Sequence, residues 1–330
     1  DWVHEGVKSG AVTLNIEPDT SYDEPPEADE EITSTQSLTP TQKSIDDFSI
    51  ESCFMEEVPA TEWLVNNLIE LHTINAIVAA GGVGKTWLAV DLALKIASGN
   101  NSEFLGFPIK KQGLVFFVTM EDSQAAIHRR LEKLDPDKSL RLLAKDTFYG
   151  LTATEAFGGH FTLVEYGSQG NVQITQKYRW LIEQIEKKKR EHPDLPIFVI
   201  FDTYSATHHS DENSTTGANE WFRAASLLKN RVGATILVMH HIRKIGYQEP
   251  LRCPEDFGMA IRGSNAFVNA CRTVFGVWPM KDSEQKKITR LDNKSGAHNF
   301  SLIKDNNGPN WGDRDLGNAS GTIPFKAYSL

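Results

Sequence analysis

The stretch AAGGVGKT at 79–86 lies between a strongly apolar run, TINAIVAA at 73–80, and an apolar-periodic run, TWLAVDLALKIAS at 86–98. The order reads as strand, glycine loop, helix. Gly81, Gly82 and Gly84 let the backbone wrap so that successive N–H groups point inward, and the following helix adds its partly positive N-terminus. Such a loop cradles phosphate. Its expected lining is Ala80, Gly81, Gly82, Val83, Gly84, Lys85, Thr86 and Trp87. Lys85 is expected to reach the outer phosphates of ATP, and the Thr86 hydroxyl to hold a Mg²⁺ that bridges them. The spacing departs from G-x-x-x-x-G-K-[ST] only at Ala79, which stands where the first glycine is usual.

Downstream, FLGFPIKKQGLVFFVTMEDSQ (104–124) reads as a small hairpin or turn and then a buried strand, Leu114 to Thr119, with Glu121 and Asp122 just past its end. A helix to Asp135-Pro136 follows, and 139–172 read as irregular. TQKYRWLIEQIEKKKREH (175–192) is a second helix, with Trp180, Leu181 and Ile185 expected inward and a basic C-terminal end that suits its dipole. PIFVIFD (196–202) and ATILVMHH (234–241) have the form of fully buried parallel strands. Between them lie the polar loop 208–217 and a helix at 218–231. A polar, basic loop (243–262), RGSNAFVNACRTVFGVW as helix and strand, and a hairpin of KKITRLD and HNFSLIKD complete the body. Strands alternating with helices predict an α/β fold with a mostly parallel twisted sheet, its ligand at the carboxyl ends of the strands.

Upstream, PATEWLVNNLIEL from Pro59 reads as a lead-in helix. Before it the pattern changes. Residues 17 to about 58 are rich in Glu, Asp, Pro, Ser and Thr and hold too little apolar surface to offset chain entropy, so they read as a flexible linker. The alternative is an acidic mimic of DNA. The expected organisation is an N-terminal remnant and linker (1–58), an ATPase domain (59–305) and a weakly ordered tail (306–330).

The net charge of −10 divides unevenly along the 330 residues. Residues 1–62 hold sixteen Asp and Glu against Lys8 and Lys43, whereas the other 268 carry 28 acids against 32 bases. A slightly basic body removes the objection to a nucleic-acid partner that the whole-chain charge raises. Cys53, Cys253 and Cys271 show no C-x-x-C spacing and read as reduced thiols, which implies neither a disulfide framework nor a zinc site. No apolar run approaches the ~18 residues that span a bilayer, so a cytoplasmic protein with no membrane partner is expected.

Hydrolysis of a γ-phosphoryl group needs a placed metal, an oriented water and neutralised charge. Asp202, an acid after five apolar strand residues, suits the metal role together with Thr86. Glu121 is the candidate for polarising the water, with Asp122 competing for the role. His241 is positioned to sense the γ-phosphate. His208, His209, Asp211 and Glu212 match no zinc spacing and read as loop residues.

The order of these motifs resembles the RecA-like P-loop ATPases, and within them the hexameric replicative helicases of the RepA and DnaB type, over roughly 59–305. AAGGVGKT is similar to Walker A, FVTMEDS brings Glu121 to the catalytic glutamate, VIFDTYSATHHSDENS resembles Walker B and its following loop, and HHIRK sets His241 on the sensor position. RGSNAF (262–267) is similar to the family's RGS segment, and Arg130 has a positional counterpart. The resemblance implies a homo-oligomeric ring, most often hexameric, with ATP between neighbours and single-stranded DNA in the channel. Arg243, Lys244, Arg252 and Arg262 would then face DNA. Where the family carries an arginine that reaches into the neighbour's site, RLDNKSG (290–296) offers Lys294, with Arg290 nearby; lysine is a point charge without the planar fork. DWVHEG at the start resembles the end of a Toprim-type primase domain, so a covalently preceding primase domain is expected, in a bacterial, phage or plasmid context. The implied function is an ATP-dependent DNA helicase module. A RecA-like recombinase or repair ATPase that does not unwind DNA, and a nucleotide-regulated assembly or loading protein, stay open as alternatives.

Overall fold

A computed structural model describes residues 44–51, 54, 57, 60–99, 102–167, 171–208, 214–243, 260–261, 265–280, 297–305 and 322–326. The chain divides into two compact units, Asp1–Pro59 and Ala60–Leu330. In the first, the described residues include a 3-10 turn at Ile45–Phe48; most of the expected linker lies outside them.

The second unit is organised by an eight-stranded sheet. Its strands are β1 (Ile74–Ala79), β2 (Leu114–Thr119), β3 (Phe148–Thr152), β4 (Ile197–Asp202), β5 (Ala234–His241), β6 (Thr273–Pro279), β7 (Ala297–Asp305) and β8 (Thr322–Lys326). The spatial order is β8-β7-β6-β1-β5-β4-β2-β3. Pairing is parallel from β6 through β3 and antiparallel for β6 with β7 and β7 with β8.

Every residue of β1, β2 and β4 is buried. That follows from apolar runs covered on both faces. The two-residue period of each strand divides these side chains between two cores. Ala76, Val78, Phe116, Val118, Val199, Phe201, Ile236 and Val238 pack with Leu181, Ile185, Trp221 and Leu228 on one side. Ile77, Val115, Phe117, Phe198, Ile200, Leu237 and Met239 pack with Leu88, Leu92 and Ile96 on the other. The four long helices are therefore α1 (Lys85–Ser98) and α2 (Gln124–Leu134) on the second side, α3 (Gln176–Glu191) and α4 (Thr215–Val232) on the first. Ser123, Thr175 and Ser214 cap α2, α3 and α4 by accepting from backbone N–H groups three residues on. Left-handed Gly99 and Gly233 end α1 and α4.

Several elements differ from the sequence reading. The expected lead-in helix is a hairpin, Trp63–Val65 against Ile69–Glu70, closed through Asn67 at φ 51°. Asparagine tolerates that left-handed conformation, and Leu64, Val65, Leu68 and Ile69 are all buried in the hairpin, although in so short a stretch their spacing also suits a helix. On α3, Trp180 stays 39% exposed, and Tyr178, Leu181, Ile182 and Ile185 form the inward stripe; their i, i+3, i+4, i+7 spacing is the true apolar face. The stretch read as irregular contains a helix (Ser139–Leu143), the edge strand β3, a helix (Ala153–Phe157) and a hairpin (Val164–Tyr166 with Val172–Ile174). These pieces are too short for periodicity to reveal. The expected C-terminal antiparallel element is present: β7 carries HNFSLIKD and pairs with β6 on one side, while KKITRLD lies outside the described residues. On its other side β7 pairs with β8, which comes from the expected weakly ordered tail. An edge position accommodates Pro324, which lacks an N–H to give to a neighbour.

Candidate nucleotide site

The carboxyl ends of β1, β5, β4 and β2 lie side by side, and the polar residues of the motifs gather there. Register makes the alignment tight. Asp202 is level with Thr119 of β2 and Met239 of β5, and His241 is level with Ala79 of β1.

Beyond β1 the loop takes left-handed φ angles at Gly82 (76°) and Gly84 (93°), conformations that side-chain-bearing residues rarely adopt. A Cβ at Gly82 would meet nothing within 4 Å, so the requirement there is backbone shape, not room. Gly84 is the N-cap of α1; it supplies no side-chain cap, and no acid stands in the first turn. The first N–H groups of a helix need an acceptor, and an anion meets that need with help from the dipole.

Lys85 is 6% exposed. Its Nζ donates to the carbonyls of Ala79 (3.2 Å) and Ala80 (3.1 Å) and lies 3.2 Å from His241 Nδ1. Burial lowers its pKa, opposed by the charges of Asp202 and Glu121.

Thr86 Oγ1 donates to Asp202 Oδ2 at 3.0 Å. Asp202 is wholly buried, and its Oδ1 has no hydrogen-bond partner among the described residues. Burial pushes its carboxyl up to about 6, with Glu121 adding repulsion, while the Thr86 hydroxyl opposes the rise. A buried carboxylate with an unused oxygen beside a hydroxyl fits a small, hard, oxygen-seeking cation such as Mg²⁺. Among the described residues no group of three or more His, Cys, Asp or Glu forms a separate metal cluster.

Glu121 Oε1 accepts from Thr203 Oγ1 (3.1 Å) and lies 3.8 Å from His241 Nε2. His241 holds its carboxyl below the usual range, helped by the Thr203 hydroxyl, while burial opposes. The backbone N–H groups of Glu121 and Asp122 both approach Thr119 Oγ1, at 3.4 and 3.3 Å, which shapes the turn after β2. Asp122 is otherwise engaged, in an ion pair with Arg130. The Arg130 guanidinium also lies over the Trp87 ring, 5.6 Å from its centroid, and Lys133 Nζ lies 5.7 Å from the same centroid. Of the two neighbouring acids, Glu121 is therefore the one beside His241 and Lys85, although the charges of both reach Asp202.

The structure thus brings together Lys85, Thr86, Asp202, Glu121 and His241, and sets Arg130 one layer out, on Asp122 and Trp87. Sequence reasoning missed Thr203 and Thr119. The signal for Thr203 was its place directly after the acid of a buried strand. Arg243 is exposed, and its backbone N–H donates to Ala260 O at 2.8 Å. Lys244, Arg252, Arg262, Lys294 and Arg290 lie outside the described residues, as do His209, Asp211 and Glu212.

Among solved structures the chain is similar to a DnaB-like replicative helicase whose structure was studied with its interactions with primase. Identity is 10%, the TM-score 0.52, and the match covers 85% of this chain and 62% of that one. It is also similar to the ATPase domain of G40P, at 10% identity and a TM-score of 0.49 over 77% of this chain and 80% of that one. At such identity the first likeness shows the fold alone: the RecA-like ATPase fold found in DnaB-type helicases. Residues 39–246 match the family model described as AAA domain. That is more than half of the sequence, and the chain belongs to the AAA domain family.

Proposed function

We propose that the chain is an ATP-dependent DNA helicase module that couples hydrolysis to movement along single-stranded DNA. The observation that carries this reading is the convergence of Lys85, the Thr86–Asp202 pair and the Glu121–His241 pair at four adjacent strand ends. The glycine loop and the start of α1 would bind the phosphates of ATP through backbone N–H groups. Lys85 would exchange its contact with His241 for a phosphate oxygen. Thr86 and Asp202 would hold Mg²⁺, which neutralises charge on the phosphates when bound. Glu121, kept ionised, would orient the attacking water and take its proton. His241, between Lys85 and Glu121, is suited to register whether the γ-phosphate is present. Arg130 would act on Asp122 and leave Glu121 alone in the site.

The same reading includes a homo-oligomeric, hexameric ring in which Lys294 of one copy completes the site of the next. Arg243, Lys244, Arg252 and Arg262 would contact DNA, and a primase domain would precede the chain in a cytoplasmic replication protein. Among the described residues no helix is long and apolar enough to cross a membrane. The test is Mg²⁺-dependent ATP hydrolysis with and without single-stranded DNA, together with strand displacement on a forked substrate and mass in solution. DNA-stimulated hydrolysis with unwinding is expected from a ring. Stimulated hydrolysis without unwinding overturns the helicase reading in favour of a recombinase or repair ATPase. Nucleotide binding with negligible DNA affinity points instead to an assembly or loading protein.

A further inference from the structure

His241 is set from two sides. Toward the nucleotide site its ring approaches Lys85 and Glu121, as described. Its neighbour on β5, His240, is fully buried, and its ring lies against Phe267 (centroids 4.4 Å apart) and Tyr204 (4.9 Å). Tyr204 and Phe267 are themselves 4.8 Å apart, edge to face. Successive strand residues point to opposite faces, so whatever fixes the ring of His240 fixes the backbone from which His241 projects. Tyr204 stands two residues past Asp202, in the short helix Tyr204–Thr207. Phe267 belongs to the helix Asn265–Ala270, which follows in sequence the segment after β5 that carries Arg243 and Lys244. The two ends of that segment are pinned together by Arg243 N–H donating to Ala260 O and by a bridge between Ile242 and Ile261.

We propose that Phe267 is a positioning residue for His241. The rings of Tyr204, His240 and Phe267 form a joint that holds the end of β5, keeps His241 between Lys85 and Glu121, and ties that setting to the helix Asn265–Ala270. The consequence for turnover rests on the ATPase reading; the positioning itself does not.

Two measurements on the full chain test the joint. The first follows the imidazole nitrogen NMR signals of His241 without nucleotide. Phe267→Leu shifts them. Phe222→Leu removes a ring that packs on Phe267 (5.5 Å) and Tyr204 (6.4 Å) in the same cluster, and leaves them in place. Phe267→Met is the second variant if leucine costs the fold. The second measurement is steady-state ATP hydrolysis. Phe267→Leu lowers kcat by about 10- to 100-fold, the scale for a group displaced by roughly an ångström, with KM for ATP little changed. In a His241→Asn background the same change adds no further loss, because Phe267 acts through His241. Unmoved His241 signals in Phe267→Leu, an equal shift from Phe222→Leu, or additive losses with His241→Asn each overturn the proposal. A wild-type chain without hydrolysis overturns the ATPase reading instead, and the NMR result then decides the joint by itself.

Discussion

Lys304, on a strand of the sheet, and Lys85, at the start of α1, are both held by main-chain carbonyls, and they sit at opposite kinds of helix end. Lys304, on β7, donates to the carbonyls of Val268 (2.8 Å), Asn269 (3.0 Å) and Cys271 (2.8 Å). Its three donors close the C-terminal end of the helix Asn265–Ala270, where a cation is favoured. Lys85 donates to only two carbonyls, and its third neighbour is the ring of His241. It also sits at the N-terminal end of α1, where the helix dipole disfavours a cation and favours an anion. Burial lowers the pKa of both. The contrast is between a lysine held by three carbonyls at a helix C-terminus, where its charge is favoured, and one held by two carbonyls and an imidazole at a helix N-terminus, where an anion is favoured. The first is a fastener; on the proposed ATPase reading the second is a binding group.

The sharpest way to break this comparison is the same substitution at both positions. Lys85→Met should lower ATP hydrolysis by about 10²–10³-fold or more, the scale for losing a donor aimed at developing charge, while the unfolding midpoint holds or rises. Glu121→Gln should cost a similar factor with nucleotide binding retained, read by comparing kcat with nucleotide affinity. If Lys85→Met keeps its turnover, the site has been misassigned.

Next in size is the acid beside Lys85. The Asp202 carboxyl is raised from 3.8 to about 6, so its folded form holds a proton that the unfolded chain has lost over that interval. The stability this contributes is full below about pH 4 and is lost as pH rises through about 6; at pH 7 the ionised group costs ~2–3 kcal/mol. Without divalent metal, Asp202→Asn should therefore be more stable than wild type by that amount at pH 7 and equal to it near pH 3.5. Urea unfolding in a chelator at the two pH values measures the difference, and a constant difference would reject the burial argument. Lys304→Met should cost about 2 kcal/mol, because it strands carbonyls at a helix end, and should leave the turnover of the folded fraction unchanged. The smallest effect belongs to exposed Arg243. If it touches single-stranded DNA, Arg243→Ala lowers the salt slope of binding by about 0.7, with hydrolysis in the absence of DNA intact.

Legibility followed the length of the apolar signal. The strands TINAIVAA, LVFFVT, PIFVIFD and ATILVMHH, and the helices α1 to α4, were readable because burial on both faces or one wide stripe leaves a long, regular trace. Where elements shrink to five residues or fewer the trace is mostly lost, the turn-marked hairpin Glu103–Phe104 with Phe107–Pro108 excepted. That is why the hairpin at 63–70 resembled a helix and β3 left no mark in a stretch read as irregular. The competition between Glu121 and Asp122 shows the same limit at the level of chemistry. Adjacent acids look equivalent in sequence, and only the arrival of Arg130 from α2, eight residues on, separates their roles.

By itself, the sequence determined the glycine loop between strand and helix, the two buried strands that end in Asp202 and His241, and the parallel α/β class. Glycine conformations, helix starts and continuous apolar runs are local properties of the chain. What only the tertiary structure decided was adjacency. The order β1-β5-β4-β2 puts His241 between Lys85 and Glu121, lets Thr86 reach Asp202 across 116 positions, and brings Tyr204, His240 and Phe267 into one buried contact. Such pairings depend on which strands hydrogen-bond to which, and no spacing along the chain encodes that.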